Sequence, residues 1–424
     1  MEDVGMGNGP TAGPLSLAGE GCGLDGQEVT AQVDRSLCDW MRSVRRRLHR
    51  YPELAGREQQ TAALVLRELE RLGITCRTGI GGTGIRAEIG LACGPCVALR
   101  ADMDALPIRE LTGLDFASTR EGIMHACGHD GHVAMLLGAA ALLRQVDLPG
   151  RVVLLFQPAE EAGNGAAAMI RDQALDGVEM IFSGHIDTHY PVGFLIVDDG
   201  LICSYTDPFT IRIHGRGGHA ARPHEAVDSV VVAANLVMNM QTLVSRQIDP
   251  SHAAVVTVGR IEAGTVHNAI AENAILEGTV RSAHRDTRNS ILSGLRRVIH
   301  GASDMCNAEI ELEFFDGLPA VVNDPGATDV ARRAAVAVVG ADQVVSQGQP
   351  SLGGEDFAFY QQQVPGCMIR FGGQVTAGPA GPAHSSRFDF SEDVLGYGAA
   401  WLAAVARLAL HDLAGDSSSI STTP

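Results

Sequence analysis

Two hydrophobic periodicities alternate along the first half of the chain. In residues 34–50 the apolar positions recur every three or four residues, and residues 58–73 repeat this helical pattern up to Gly73. Short β-rich runs such as CVALRADMD and RVVLLFQPAEE then alternate with the helical stretch HVAMLLGAAALLRQV. Strands that alternate with helices indicate an α/β domain, whose functional residues gather at the carboxyl ends of the strands.

The pattern changes between residues 205 and 317. DPFTIRIHGRGGHA alternates apolar and polar positions like a half-exposed strand, and the following segments have the periodicities of helix, strand, strand, helix and strand. The order β-α-β-β-α-β is that of a ferredoxin-like fold. We therefore predict a large α/β domain built from residues 31–204 and 318–412, into which a ferredoxin-like domain of residues 205–317 is inserted.

The two ends of the chain differ in composition from its body. Residues 1–30 contain eight glycines and little apolar periodicity, and residues 413–424 are rich in Ser and Thr. Both segments are predicted to be disordered, and the final helix is predicted to end near residue 412. The acidic start MEDVG is followed by no apolar stretch, so we expect no secretory signal.

Composition narrows the possible partners. The formal net charge of −18 would repel phosphate backbones and anionic lipids, and we expect neither nucleic acid nor membrane as a partner. We also find no apolar run of the roughly 18 residues that a membrane span needs. Nine cysteines at irregular spacing do not suggest a disulfide framework, which favours a cytoplasmic protein.

Clusters of potential metal ligands follow the predicted strands. Glu160 and Glu161 come directly after the apolar run VVLLF, where a buried and unpaired charge would be costly unless a cation were bound. One of the two acids would bind the metal, and its neighbour would take a proton from metal-bound water. Thiolate, imidazole and carboxylate donors suit Zn²⁺, Mn²⁺ or Co²⁺ better than Ca²⁺, and they are available from Cys127, His129, Glu161, His185 and His384.

Other polar motifs have simpler interpretations. The string CGPC at 93–96 copies a redox dithiol, but it precedes a predicted strand rather than a helix, so it is interpreted as a turn between strands. GRGGH lacks the Lys and Ser/Thr of a phosphate loop. His125 and His132 lie near the predicted ligands and are expected to support them rather than to bind metal, and His49 is expected to be structural.

Taken together, the motifs resemble those of a known family. LHRYPELAGRE, VALRADMDALPI, MHACGHDGH, LLFQPAEE, GRGGHAARPH, EGTVRS, GGEDFAFY and AHSSRFDFSEDVL occur in this order. The chain resembles the two-metal peptidases that include aminoacylases, hippurate hydrolases, auxin-conjugate amidohydrolases and related carboxypeptidases, and it is most similar to the amidohydrolase branch. The resemblance covers about residues 36–412.

The resemblance implies two divalent metal ions and a role for each motif residue. Glu160 is implied as the general base that activates a metal-bound hydroxide for attack on an amide carbonyl. Asp104 is implied to orient a ligand, and Asp102 is expected to support the site rather than to bind metal. The implied metal ligands are Cys127, which would bridge or ligate the pair, and His129, Glu161, His185 and His384.

The same resemblance implies that the inserted domain acts as a lid and in dimerisation. His219 would stabilise the oxyanion across the interface of a homodimer or higher homo-oligomer, and Asn268 and Arg281 would bind the substrate carboxylate. For Arg281, a salt bridge on a strand is the alternative. The chain departs from the family pattern at Ala271, where relatives have Pro, and at Gly354, where they commonly have Ser.

Three functions remain open at this point. The first is a metal-dependent amidohydrolase that cleaves N-acyl amino acids or related amides. The second is a dipeptidase or carboxypeptidase with the same chemistry and small peptide-like substrates. The third is a catalytically silent binding protein on the same fold, which should have lost ligands or base, whereas this chain retains them.

Overall fold

The computed structural model describes residues 33–376 and 380–419. The predicted disordered leader, residues 1–30, lies outside these described residues, as do residues 420–424 of the predicted tail. The helices are α1 (Arg35–Arg50), α2 (Gln59–Arg71), α3 (His129–Leu143), α4 (Gly165–Arg171), α5 (Ser229–Thr242), α6 (Arg285–Cys306), α7 (Pro325–Val339), α8 (Ala358–Gln361) and α9 (Val394–Ser419).

Sixteen strands lie among the described residues. In chain order they are β1 (Cys76–Ile80), β2 (Gly84–Gly90), β3 (Cys96–Asp102), β4 (Arg151–Gln157), β5 (Met180–Asp187), β6 (Leu195–Ile196), β7 (Gly200–Cys203), β8 (Tyr205–His214), β9 (Gly218–His219), β10 (Ala254–Ala263), β11 (Ala269–Ile270), β12 (Asn273–Ser282), β13 (Glu309–Phe314), β14 (Val321–Asn323), β15 (Val344–Val345) and β16 (Gly366–Gly372).

An eight-stranded mixed sheet forms the centre of the larger unit, in the order β1-β2-β4-β3-β5-β16-β6-β15. Its middle strands β4, β3, β5 and β16 are mutually parallel. Successive residues of β4 serve two different hydrophobic cores, because Leu154 packs in one core and Leu155 in the other. Helices therefore cover both faces, which explains why the middle strands are apolar at consecutive positions.

The smaller unit is an antiparallel four-stranded sheet in the order β10-β12-β8-β13, with α5 and α6 packed against it. Its elements run from β8 to β13 in the order strand, helix, strand, strand, helix, strand. Along β8 the residues Phe209, Ile211 and Ile213 are buried in a separate core with these two helices. The predicted α/β fold with an inserted ferredoxin-like domain is confirmed.

Two chain segments connect the small sheet to the large unit, and they are paired with each other. Thr206 and Leu318 form an antiparallel bridge in which each backbone N–H donates to the other's carbonyl, at 3.0 and 2.9 Å. Gly317 is needed for this approach, since a Cβ atom there would lie 1.9 Å from the carbonyl oxygen of Thr206. Both connections thus run through one short two-stranded segment, which we call the paired connection.

The last helix is longer than predicted. It continues beyond residue 412 to Ser419, and Leu413 still packs against the main core, so its apolar face extends past the predicted end. Within the described chain, Val394–Gly415 is one helix whose length and composition would allow it to cross a membrane. However, 83% of its most apolar window is buried inside the protein, as expected for a core helix.

Candidate metal centre

The predicted ligands meet at the carboxyl edge of the parallel strands. His185 lies near the end of β5, and Glu160 and Glu161 follow β4 by a few residues. His129 is the first residue of α3. The segment that contains His384 is held in place by a backbone hydrogen bond, in which His384 N–H donates to the carbonyl of Ala126 at 2.7 Å. Parallel strands point their carboxyl ends the same way, which is why residues distant in sequence converge here.

Cys127 belongs to two groups of potential ligands. Its sulfur lies within 4.8 Å of donor atoms of His129 and His185 in one group, and of Glu161 and His384 in the other. The Cys127 Sγ atom is 3.4 Å from His185 Nε2, and His384 Nε2 is 3.3 Å from Glu161 Oε1. Two donor groups of this kind, which have Cys127 in common, would be able to hold two cations.

The donor atoms fit divalent metal ions chemically. His129 Nε2 is buried without a hydrogen-bond partner among the described residues, and Glu161 Oε1 likewise accepts no hydrogen bond there. Burial raises the pKa of the Cys127 thiol to about 12, whereas a bound divalent cation would keep the sulfur deprotonated. Mixed thiolate, imidazole and carboxylate donors match first-row transition metals and Zn²⁺.

Backbone carbonyls orient the buried imidazole of His129 and the half-buried imidazole of His185. His129 Nδ1 hydrogen-bonds to the carbonyl of Asp104 at 2.9 Å, and His185 Nδ1 to that of Ile186 at 2.7 Å. Each ring therefore carries its proton on Nδ1 and presents Nε2 as an electron-pair donor. This arrangement fixes the tautomer that a metal ligand requires.

The carboxylate of Asp104 holds the two acids in place. Its Oδ1 accepts the backbone N–H of Glu160 and its Oδ2 that of Glu161, both at 3.0 Å. The preceding residue, Ala159, has a φ of 54°, a left-handed conformation that is uncommon for a residue with a Cβ atom. Asp104 therefore stabilises a strained turn that directs two neighbouring carboxylates into one site.

Asp102 sits behind the donor groups at the end of β3. Its Oδ1 accepts from His132 Nδ1 at 2.7 Å, and its Oδ2 accepts from Arg100 Nη1 at 2.7 Å. Burial opposes ionisation, but His129, His132 and Arg100 outweigh it and hold the pKa of Asp102 well below its usual value. The other ring nitrogen of His132 accepts the backbone N–H of Ile186, so this chain of contacts supports the strand that carries His185.

A second acidic cluster lies beside Glu160, and sequence reasoning missed it. Carboxylate oxygens of Glu160, Glu355 and Asp356 lie within 4.8 Å of one another. Burial and these two neighbours raise the pKa of Glu160 well above its usual value. Arg100 Nη2 donates to Glu355 at 3.0 Å and to Asp356 at 2.9 Å, which partly neutralises the cluster. An arginine inside the fully buried run CVALRAD was the available signal, because a buried cation needs partners.

The remaining polar residues of the MHACGHDGH motif are structural in character. Asp130 Oδ2 accepts from His49 Nδ1 at 2.9 Å and from Arg45 at 3.3 Å, so it ties α1 to α3. Both ring nitrogens of His125 lack hydrogen-bond partners within the described part of the chain. Burial lowers the pKa of His125 to about 4, which keeps the ring neutral at pH 7.

The cysteines of CGPC lie away from the donor groups. Cys93 is exposed, Cys96 is the first residue of β3, and both are free thiols. The motif forms the turn between β2 and β3, as its position before a predicted strand indicated. A helix N-terminus, which would stabilise a reactive thiolate, does not follow it.

The three predicted residues of the small domain lie on its β9–β11 ribbon and on β12, and His219 belongs to none of the donor groups. His219 and Asn268 are exposed neighbours on the β9–β11 ribbon, where Ala220 N–H donates to the Asn268 carbonyl at 3.2 Å. Arg281 is half-buried, and its Nη1 donates to the carbonyl of Leu352 in the large unit at 3.3 Å. Among the described residues, all members of the groups that could hold a metal ion belong to the large unit.

Known proteins share this sequence and architecture. A family model described as peptidase family M20/M25/M40 matches residues 98–408. N-acetyl-L-cysteine deacetylase of Bacillus subtilis is 42% identical over 78% of this chain and 79% of its own length. Thermostable carboxypeptidase 1 of Saccharolobus solfataricus is 39% identical over 86% of this chain and 94% of its own length.

A solved structure and one longer relative complete the comparison. The Bacillus subtilis protein YXEP, described as a dinuclear metal-binding peptidase, superposes with a TM-score of 0.78 at 35% identity, covering 89% of this chain and 99% of that one. A Rhodococcus jostii protein named putative glutamate–cysteine ligase 2-3 is 42% identical over 90% of this chain. The chain spans only 48% of that relative's length, so its name is not transferred.

Proposed function

Because the chain belongs to peptidase family M20/M25/M40, we propose that it is a metal-dependent amidohydrolase that cleaves the amide bond of N-acyl amino acids. This membership confirms the resemblance found in the sequence motifs. The observation that carries the proposal is Cys127, which belongs to two donor groups, while the Glu160 carboxylate lies close to His129 and Glu161 but in neither of the groups that contain Cys127. Two cations and a free carboxylate are the parts that hydrolysis of an amide needs.

When bound, two divalent cations would supply Lewis acidity, lowering the pKa of water toward about 7. Cys127, His129, Glu161, His185 and His384 would hold them. Glu160 would then accept a proton from the attacking water on its carboxylate and later donate it to the nitrogen of the leaving amine. Burial and the neighbouring carboxylates of Glu355 and Asp356 raise the pKa of Glu160 above its usual value, so this carboxylate binds a proton more readily than an exposed glutamate does.

The small domain would supply the contacts to the substrate. Arg281, whose guanidinium reaches the large unit, and Asn268 would bind the α-carboxylate of the amino-acid part. In a homodimer, His219 would donate a hydrogen bond to the oxyanion that forms on the substrate bound to the partner protomer. Its exposed position on the β9–β11 ribbon, outside the donor groups of its own chain, supports action across an interface.

The donor chemistry favours Zn²⁺, Mn²⁺ or Co²⁺, and the eight free cysteines among the described residues support a cytoplasmic setting. Dipeptidase or carboxypeptidase activity is the second candidate, since two similar proteins carry the name carboxypeptidase. Both activities would use the same cations and base. They differ in the group on the acyl side of the cleaved amide, which is a simple acyl group in an N-acyl amino acid and an aminoacyl or peptidyl group in a peptide.

A substrate panel distinguishes these two activities. We expect the parent protein, loaded with Zn²⁺, Mn²⁺ or Co²⁺, to hydrolyse N-acetyl and N-benzoyl amino acids with kcat/KM at least about tenfold above that for dipeptides. Release of free amino acid is the measurement. Faster cleavage of dipeptides with every metal would favour the dipeptidase or carboxypeptidase alternative, and cleavage of neither class would contradict amide hydrolysis.

Subunit complementation tests the role of His219. Mixtures of inactive His219→Ala and Glu160→Gln proteins should regain activity, because a heterodimer contains one site with an intact base and an intact His219 from the partner. Random pairing would give at most about a quarter of parental activity per site. Mixing under conditions that prevent subunit exchange is the control. Exchange without recovered activity would contradict the proposed cross-subunit role.

A further inference from the structure

A cavity of about 320 Å³ adjoins the metal centre. His185 forms part of its wall, and Ala383, the residue before His384, forms another part. The segment containing Gln347 and Ser351 contributes polar side chains to the far side. A cavity of this size accommodates a small acyl group or an amino-acid side chain. Its position beside two predicted ligands makes it a binding site for one end of the substrate.

Arg370 brings a positive charge into this cavity. It pairs with His185 in the parallel register of β16 and β5, so both side chains lie on the same face of the sheet. The guanidinium is fixed along one edge, where Nε–H donates to Gln347 Oε1 at 3.1 Å and Nη2 donates to Cys203 Sγ at 3.6 Å. The side chain remains 17% exposed and lines the cavity.

Among the described residues, the remaining nitrogen of Arg370 has only a long charged contact. Nη1 lies 3.8 Å from Asp187 Oδ2, which is too far for a hydrogen bond. The other oxygen of Asp187 accepts the backbone N–H of His189 at 2.9 Å. Asp187 is the single acidic residue that lines the cavity in the described chain. Nη1 therefore has the capacity to donate to an anion that enters the cavity.

We propose that Arg370 selects substrates with a second carboxylate, in addition to the α-carboxylate assigned to Arg281 and Asn268. The inference rests on the proposed amidohydrolase function and defines its substrate class. A fixed guanidinium suits a carboxylate in particular, because planar N–H groups match its two oxygens. The chain carries a net charge of −18, so this cation is not part of a generally basic surface. The carboxylate belongs either to a dicarboxylic acyl group or to an acidic amino-acid side chain.

Two matched substrate pairs distinguish these sources. N-acetylglutamate is compared with N-acetylglutamine, and N-succinylalanine with N-butyrylalanine, by measuring kcat and KM. We expect the parent to favour the charged member of at least one pair by about tenfold or more in kcat/KM. Arg370→Gln should abolish this preference through KM, with the neutral members changed less than about twofold. The pair that shows the preference identifies the end of the substrate that enters the cavity.

Three further variants separate recognition from structural effects. Arg332→Gln is the matched control, because Arg332 makes a comparable 3.7 Å contact with Asp199 outside the cavity, and it should retain the preference. Arg370→Lys should keep part of the preference, since the charge remains. Asp187→Asn should increase the preference for the charged substrate above that of the parent, because it removes the anion that competes for Arg370.

Two results would overturn the proposal. One is equal loss of activity toward charged and neutral substrates in Arg370→Gln together with an unchanged preference in Asp187→Asn. The other is the absence of any preference for charged substrates in the parent. Turnover of the neutral substrates by the parent would show that the amidohydrolase function holds in either case.

Discussion

Replacing Glu160 by Gln should reduce kcat by at least about a thousandfold while leaving the metal content of the protein unchanged. The amide cannot accept the proton of the attacking water, and general base catalysis contributes on the order of 10²–10⁴ to a rate. Glu160 lies within 4.8 Å of donor atoms of His129 and Glu161, but it forms no part of the two donor groups that share Cys127, so these two groups should survive the substitution. Single-turnover rates and elemental analysis of the purified variant provide the two measurements.

The neighbouring carboxylate supplies the matched control. Glu161→Gln removes one member of the donor group that also contains Cys127 and His384, so we expect loss of bound metal together with loss of activity. Both variants change one adjacent carboxylate to an amide with almost the same shape. Parental activity in Glu160→Gln would contradict its assignment as the base, and equal metal loss in both variants would make Glu160 a ligand instead.

Replacing Cys127 by Ala should have the second large effect, because it removes the donor common to both groups. We expect bound metal to fall from two ions per chain to fewer than one, and activity to fall by at least about a hundredfold, since even the loss of an outer partner of a ligand costs 10–100-fold. The variant should also lose metal-dependent stabilisation. For the parent this stabilisation is about 2.7 kcal/mol at a metal concentration 100 times Kd.

Thermal unfolding with and without added metal measures this effect directly. Cys76→Ala is the control, since Cys76 is a half-buried free thiol in β1 and outside both donor groups. It should show the same metal-induced increase in Tm as the parent. A Cys127→Ala protein that still gained the full increase and bound two ions would contradict a bridging thiolate.

Local sequence patterns predicted much of the centre because the relevant residues end apolar strands. Glu160 and Glu161 follow β4, and two charged side chains at the end of a buried strand would be costly unless a cation were bound. By contrast, His384 had no local signal apart from the family motif. Its placement depends on a hydrogen bond to Ala126 across more than 250 residues, and long-range contacts of this kind leave no periodic trace.

The residues missed by sequence reasoning share one property, which is that their partners are distant in the chain. Arg100 was visible as a charge in a buried strand, but Glu355 and Asp356 could not be assigned to it without the fold. Arg370 lies in the run GCMIRFGG, where a single charge is compatible with an exposed strand position. Only the parallel register that pairs it with His185 reveals its location at the cavity.

The paired connection has a mechanical consequence for the whole molecule. A domain attached by one flexible linker can swivel about many axes, whereas here both linkers are joined by hydrogen bonds between Thr206 and Leu318. Such a ribbon bends and twists far more easily than it stretches or separates. It should therefore restrict the small domain to rotation about a nearly fixed axis. Each closing movement would then return Arg281 to the same position against the large unit.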